Sequence, residues 1–306
     1  MRSPLRSALL AGLALCASGT AAAQVLPTAV RSSQCALRID TTTANWIIRG
    51  YDPFSSNQPT GSYDVLFVNE GNQDCRFYPV FEADRTGFGL RADAGSPVPY
   101  TLIDETDGYD ATPLGGRTLR RVNNRSVVVP ARGQQMVRYI VNIDPDRIPG
   151  DGLFRQSLQL QAEQADGAVL AQRQMSIGIE VLPSAVMSLA GAFTRVRGQA
   201  DVDLGELNEG LAKVPLNLNV RSTRAFRLGV ESQNNGKLRL GGTDWAIPYQ
   251  ILIDGRAAAN SDHGFVSDSR PGRRTATLPI GFLIGDTKQK RAGVYSDVVT
   301  ISVAVE

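Results

Sequence analysis

The sequence predicts an all-β protein of two β-sandwich domains, the second of which lacks its last strand. Three observations carry that expectation: short alternating segments split by turn residues, a two-fold internal repeat, and a second copy of the repeat that stops one strand early. The first copy reads GDGLFRQSLQLQAEQ from Gly150 and passes through an ADGA turn into a further alternating run, VLAQRQMSIGIEVL. The second reads RAGVYSDVVTISVAVE and reaches Glu306 without such a run. Each copy sets a glycine, an apolar residue and an aromatic (Gly152, Leu153, Phe154; Gly293, Val294, Tyr295) ahead of a period-2 strand. A sandwich without its last strand exposes a row of unpaired backbone groups and an apolar groove, which soluble proteins normally avoid. Strand addition by another chain is the natural remedy.

The alternating segments come in order along the chain. Tyr63 to Val68, Ser126 to Val129 closed by Pro130, Met136 to Ile143, Val214 to Val220, Phe226 to Val230 and Val298 to Val305 all read as strands. Their number and spacing argue for sandwiches. The one helix candidate, Leu204 to Leu211, is interrupted by Gly205 and Gly210 and reads as a turn. The repeat has a second anchor: Gly89-Leu90-Arg91 precedes Pro99-Tyr100-Thr101-Leu102, as Gly236-Lys237-Leu238-Arg239 precedes Pro248-Tyr249-Gln250-Ile251. The division falls after Leu182-Pro183, where a small-residue stretch from Ser184 to Gly191 begins. The expected domains are therefore 24–185, with its own final strand, and 186–306, a strand acceptor.

Residues 1–23 carry Arg2 and Arg6, an apolar run from Ala8 to Ala17 and the small residues Ala21-Ala22-Ala23, the pattern of a cleavable secretory signal. Cleavage is expected before Gln24. A lipoprotein reading through Cys16 is disfavoured by Leu15, which stands where a small residue belongs. No later stretch approaches the ~18 apolar residues of a membrane span. Removing the signal leaves 30 basic residues against 30 acidic ones, which offers nothing to a nucleic acid. Cys35 and Cys75 remain, and in an exported chain two cysteines read most simply as one disulfide, the alternative being two free thiols.

Several segments together resemble one family. Cys35, the run Arg49-Gly50-Tyr51-Asp52-Pro53-Phe54, Cys75, the Pro-Tyr-x-Leu strand and the closing Ala292-Gly293-Val294-Tyr295-Ser296-Asp297-Val298-Val299-Thr300-Ile301-Ser302-Val303 are similar to the spore coat protein U family. The resemblance spans the mature chain in two copies. It implies immunoglobulin-like, pilin-like sandwiches, incomplete and finished by a neighbour's strand, as in subunits of the archaic chaperone-usher pathway. The implied partners are a periplasmic chaperone, an outer-membrane usher and an adjacent pilin, with a surface or receptor ligand the sequence does not name. The implied route is export through the periplasm to the cell surface in a pilus. The first copy departs from the closing motif, and the second holds no cysteine. Pilins of this kind carry one domain behind a free donor strand, whereas QVLPTAVRSSQ (24–34) contains Pro27 and lacks a long alternating run. A subunit that accepts but does not donate belongs at a fibre end, so the expectation is a tip adhesin for surface attachment and biofilm formation.

No cofactor and no catalytic activity are expected. His263 is the single histidine, in a polar loop from Asn260 to Gly264, so a triad or histidine metal site lacks partners. The stretch Asp104 to Asp110 offers oxygens to calcium but lacks the spacing of the known loop and reads as a hairpin tip. Arg117, Arg120, Arg121 and Arg125 read as a solvated basic loop. Trp46-Ile47-Ile48 and Phe54 are candidates for a tip-binding surface, but alternation places much of this segment in the sheet, so Trp46 and Ile48 read as core, while Phe88 and Tyr109 read as exposed tip-binding candidates. The acceptor edge is expected at Val299, Ile301, Val303 and Val305. Two other readings stay open: a minor or mid-fibre pilin donating Gln24 to Gln34, and a secreted binding module or enzyme built of sandwich domains.

Overall fold

The computed structural model describes residues 34–92, 96–119, 126–258 and 272–306. The signal segment, most of the 24–34 stretch, Arg120, Arg121, Arg125 and His263 lie outside them. Strands are the rule, because β-branched and aromatic residues alternate with polar ones between glycine and proline breaks. Among the described residues one 3-10 turn, Pro145–Arg147, interrupts them; 204–209 is irregular chain with bends, and Gly210–Leu211 is a short strand where a turn was expected.

The first sandwich holds β1 (Leu37–Thr41), β2 (Asn45–Tyr51), β3 (Thr60–Asn69), β4 (Cys75–Ala83), β5 (Tyr100–Asp104), β6 (Tyr109–Asp110), β7 (Val127–Val129), β8 (Gln134–Ile143), β9 (Gly152–Glu163) and β10 (Val169–Val181). Two five-stranded sheets face each other, in the orders β1-β3-β8-β5-β6 and β2-β10-β9-β4-β7. Their inner faces share one core. Trp46 is fully buried, stacked on Tyr63 at 5.0 Å between ring centroids and tilted against Phe81 at 6.0 Å. Such aromatic pairs add about 0.5–1.5 kcal/mol beyond the area they bury. β10 closes the sandwich, antiparallel to β9 and parallel to β2, and sends Met175, Ile177, Ile179 and Val181 into the core.

Cys35 and Cys75 are bonded across the start of β1 and the start of β4, closing a 40-residue separation. In the chain-entropy picture that loop is worth about 4 kcal/mol. Replacing either cysteine by serine is expected to lower the stability of the first sandwich by about 2–5 kcal/mol in urea unfolding, and to leave the second transition where it was. Two free thiols by mass spectrometry in periplasmic material would remove this expectation.

The second sandwich holds β11 (Ala185–Gly191), β12 (Thr194–Val196), β13 (Gln199–Asp201), β14 (Gly210–Leu211), β15 (Leu216–Ser222), β16 (Phe226–Ser232), β17 (Lys237–Leu240), β18 (Ala246–Ile253), β19 (Arg256–Ala258), β20 (Arg274–Ile284), β21 (Tyr295–Ser296) and β22 (Val299–Val305). One large sheet runs β11-β15-β20-β18-β17-β21, with β14 and β19 added at its margins. Opposite it, among the described residues, stand β16 and β22. A separate apolar core, running from Leu216 to Ile284, lies between them.

The repeat is visible in the pairing. Leu90 bridges Val98 as Leu238 pairs with Ile247, and Arg91 bridges Arg155 as Arg239 pairs with Ser296. Gly152 and Gly293 both adopt positive φ, +110° and +156°, where a side chain is strained. By this equivalence β16 and β22 correspond to β4 and β9. The five-stranded sheet of the first sandwich is reduced to two in the second, and among the described residues β10 has no counterpart. The chain is therefore all-β, two sandwiches with the C-terminal one short of its last strand.

Candidate functional site

The site begins with the backbone of β22. Glu306 N donates to Ala225 O and Gln233 N to Val298 O, both at 2.9 Å and both in the register that pairs Phe226 with Val305. Hydrogen-bonded pairs alternate along an antiparallel ladder. Thr300, Ser302 and Ala304 therefore direct their backbone groups to β16, while Val299, Ile301, Val303 and Val305 direct theirs to the opposite edge. That edge carries no paired strand among the described residues. The same four residues point inward, since the burial of β22 alternates between half-buried and exposed. Outward backbone and inward apolar side chains thus coincide at Val299, Ile301, Val303 and Val305.

The first sandwich shows what those positions look like when covered. Leu158, Leu160 and Ala162 of β9 are 1%, 0% and 0% exposed beneath β10. Their equivalents Val299, Ile301 and Val303 pack against the second core but remain half-buried. Full burial of a large aliphatic side chain is worth about 1.5–3 kcal/mol. Three half-covered side chains thus leave roughly 2–4 kcal/mol unrealised at this face.

Beside them opens a cleft of about 1370 Å³. Its floor is apolar, with Leu216, Ile251, Ile280 and Phe282 from the large sheet and Val299 and Ile301 from β22. Phe193, Val202, Leu204 and Leu207 form another wall, half-buried against the core. Val303 and Val305 do not line the cleft; β11 lies near β22 instead. Ahead of β22, Tyr295 Oη donates to Arg291 O at 2.8 Å, which anchors the turn into the strand.

A polar node sits in the cleft wall. The Asp297 carboxylate accepts from Tyr249 Oη (2.7 Å), Ser232 Oγ, Asn234 N (3.0 Å) and Val298 N (2.8 Å). Burial, and then the hydrogen bond and charge of Asp297, push the Tyr249 hydroxyl above its ordinary range. The first sandwich has the same node with a neutral amide. Gln156 Oε1 accepts from Tyr100 Oη (2.9 Å) and Gly89 N (3.1 Å), and its Nε2 donates to Gly87 O. Sequence reasoning passed over both, although aligning the two copies sets Tyr100 against Tyr249 and Gln156 against Asp297.

A third region joins the sandwiches, and it was also missed. The Phe54 ring lies between the guanidinium groups of Arg221 and Arg273, at 5.1 and 5.6 Å. Asp52 Oδ1 accepts from Ser184 Oγ at 2.9 Å. Arg224 pairs with Asp151 through two of its nitrogens and also donates to Glu306 O at 3.2 Å. Burial raises the Asp151 carboxyl, but the hydrogen bonds and charge of Arg224 outweigh it and hold the group below the ordinary carboxylate range. The run Arg49 to Phe54 thus ends in an inter-sandwich contact, and Phe54 is half-buried there rather than in a sheet.

The tip candidates fare differently from expectation. Phe88 is half-buried, its ring 4.8 Å from that of Tyr100, and it occupies the space where a Cβ on Gly116 would stand. Tyr109 is half-buried against the core beside Tyr78, Asp104 and Tyr139. Both residues are taken up by packing, because bare glycine surface and a sheet end accept their rings. Trp46 and Ile48 lie in the core or against it, as expected. Asp104 to Asp110 is the β5–β6 hairpin, and Arg117 ties the following loop to it by donating to Asp110 O at 3.0 Å. Among the described residues no His, Cys, Asp and Glu side chains gather as a metal site. No helix there is long and apolar enough to cross a membrane.

The fold and the half-covered strand define a class: two-sandwich β proteins with one incomplete sandwich. No family model and no curated protein matches the chain. Among solved structures it is similar to a chain of the CsuC-CsuE chaperone-tip adhesion subunit complex from archaic chaperone-usher Csu pili of Acinetobacter baumannii. The identity is 11%, over 87% of this chain and 99% of that one, with a TM-score of 0.46. It is also similar to the CupB6 tip adhesin of Pseudomonas aeruginosa (10%, 88% and 94%, TM-score 0.39). A third likeness is to CfaE, the adhesive subunit of the CFA/I fimbria of enterotoxigenic Escherichia coli (12%, 87% and 81%, TM-score 0.34). Likenesses of this size assign no function, which is read below from the chain's own geometry.

Proposed function

We propose that the chain is an exported tip adhesin of an archaic chaperone-usher pilus. Residues 24–185 form the adhesin domain and residues 186–306 a pilin-like domain that accepts a donor strand at Val299, Ile301, Val303 and Val305. A periplasmic chaperone, the usher and the adjacent pilin are its partners in turn, and attachment to a surface and biofilm formation are its output. The carrying observation is that β22 exposes inward side chains and outward backbone on one edge, where the equivalent β9 is covered by β10. The occupant is an extended strand with apolar side chains at every second position, because that is the chemistry of Met175, Ile177, Ile179 and Val181 in the intact copy.

The test supplies the missing strand. A copy of residues 166–181 is appended directly to Glu306, where the turn and register of the first sandwich place it. Hydrogen exchange should then slow at the amides of Val299 and Ile301 and stay unchanged at Thr300 and Ser302, which β16 already protects. The second melting transition should rise by about 10 °C, as expected for roughly 3 kcal/mol in a domain of this size. Amides of Val299 and Ile301 that are protected without the added strand, or unaffected by it, overturn the reading.

A further inference from the structure

We propose that Asp297 is a positioning residue that holds the cleft in its receiving shape before a strand arrives; this deepens the proposed function and rests on it. A carboxylate has about four acceptor sites, and Asp297 fills them with Tyr249 Oη, Ser232 Oγ, Asn234 N and Val298 N. It has no lone pair to spare for an incoming strand. What it does instead is tie three pieces of chain together. Tyr249 belongs to β18 in the large sheet, Ser232 ends β16 in the small one, and Asn234 lies in the turn after it. Ser232 Oγ accepts in turn from Gly236 N at 2.7 Å, so the whole turn is pinned. Both sheets are thereby tied to the start of β22, at the mouth of the cleft that Tyr249 and Asp297 line.

The comparison within the chain shows why a charge stands here. In the first sandwich the node is the Gln156 amide, and β9 is supported along its length by β10, with Gln156 opposite Ile177. In the second, among the described residues, β22 is held by β16 on one edge. Hydrogen bonds to an ionised acceptor are roughly twice as strong as neutral ones. The stronger node stands where strand support is missing. Packed interiors do not keep large voids open by themselves, and shape fixed in advance lowers the ordering cost of binding. The role is therefore kinetic: Asp297 speeds capture more than it tightens the finished complex.

The experiment uses the full chain and a synthetic peptide of residues 166–181, with association and dissociation rates measured separately. Asp297→Asn should slow association about tenfold, the loss of one charge-assisted bond, and change dissociation less than about twofold. Tyr249→Phe removes one donor and should slow association about threefold, again with dissociation changed less than about twofold. Should Asp297→Asn fail to fold, Tyr249→Phe decides: unaltered association overturns the inference. Variants that bind as fast as wild type, or whose whole loss is in dissociation, also overturn it and leave the proposed function standing. A wild-type chain that does not bind the peptide removes the proposed function, and this inference falls with it.

Discussion

Produced separately, residues 24–185 are expected to stay monomeric, and residues 186–306 are expected to associate through their open edge. The first fragment carries both five-stranded sheets, the Cys35–Cys75 bond and β10, so its core is closed from within. It should unfold in one cooperative transition as a monomer. The second fragment carries a large sheet faced by two strands, a cleft of about 1370 Å³ and the free edge of β22. Unpaired edges next to apolar clefts pair with whatever strand is near, and at micromolar concentration that is another copy. Sedimentation should show a monomer for the first fragment and swapped or aggregated species for the second. A monomeric 186–306 with a cooperative melt and no added strand would sink the incomplete-sandwich reading.

The second large effect concerns the edge itself. Ile301→Asp and Val303→Asp should leave the unoccupied chain folded but abolish strand capture. Both side chains are half-buried without a partner, so an aspartate there keeps part of its water. A docked strand would remove that water, and an unpaired carboxylate out of solvent costs several kcal/mol. At 1.4 kcal/mol per factor of ten, capture falls by about three orders of magnitude or more. Val30→Asp, in the segment that reads as a poor donor, should have no effect on incorporation into fibres. Normal fibres with Ile301→Asp, or their loss with Val30→Asp, would show donor and acceptor to be reversed.

Period-2 alternation was enough to place the main strands, because strands with one face in a core must alternate. The alternating segments read from Tyr63 to Val305 all lie in strands that overlap them. The repeat was legible for the same reason: Leu90 with Val98 and Leu238 with Ile247 are core pairs under selection by packing. The inward-facing residues of β22 followed from alternation alone, and only its backbone parity needed coordinates. The strand β11 was harder, since Ser184 to Gly191 is small-residue chain of modest strand propensity, and pairing with β15 makes it a strand. Phe88 looked exposed because glycines flank it, yet bare glycine surface elsewhere, at Gly116, receives its ring. The contact of Phe54 with Arg221 and Arg273 spans more than 160 residues, and no local pattern encodes such a meeting. The Asp297 node was within reach of the sequence, had the two copies been aligned residue by residue through Tyr100 and Tyr249.

One side chain, Arg224, grips Asp151 just ahead of β9 and the carbonyl of Glu306 just beyond β22. The two sandwiches are therefore joined by several tethers in parallel: the covalent connector from Leu182 to Ser184, this ionic clasp and Arg273, which donates to Pro145 O at 3.1 Å, with two guanidinium groups over the Phe54 ring alongside. Tension applied along β22 does not have to travel through the connector alone; it passes into the first sandwich at the root of β9, the strand equivalent to the one being pulled. Salt screens exposed charges, but the Asp151 end of this clasp is largely buried, so it holds as ionic strength rises. The clasp thus couples the first sandwich directly to the end of β22.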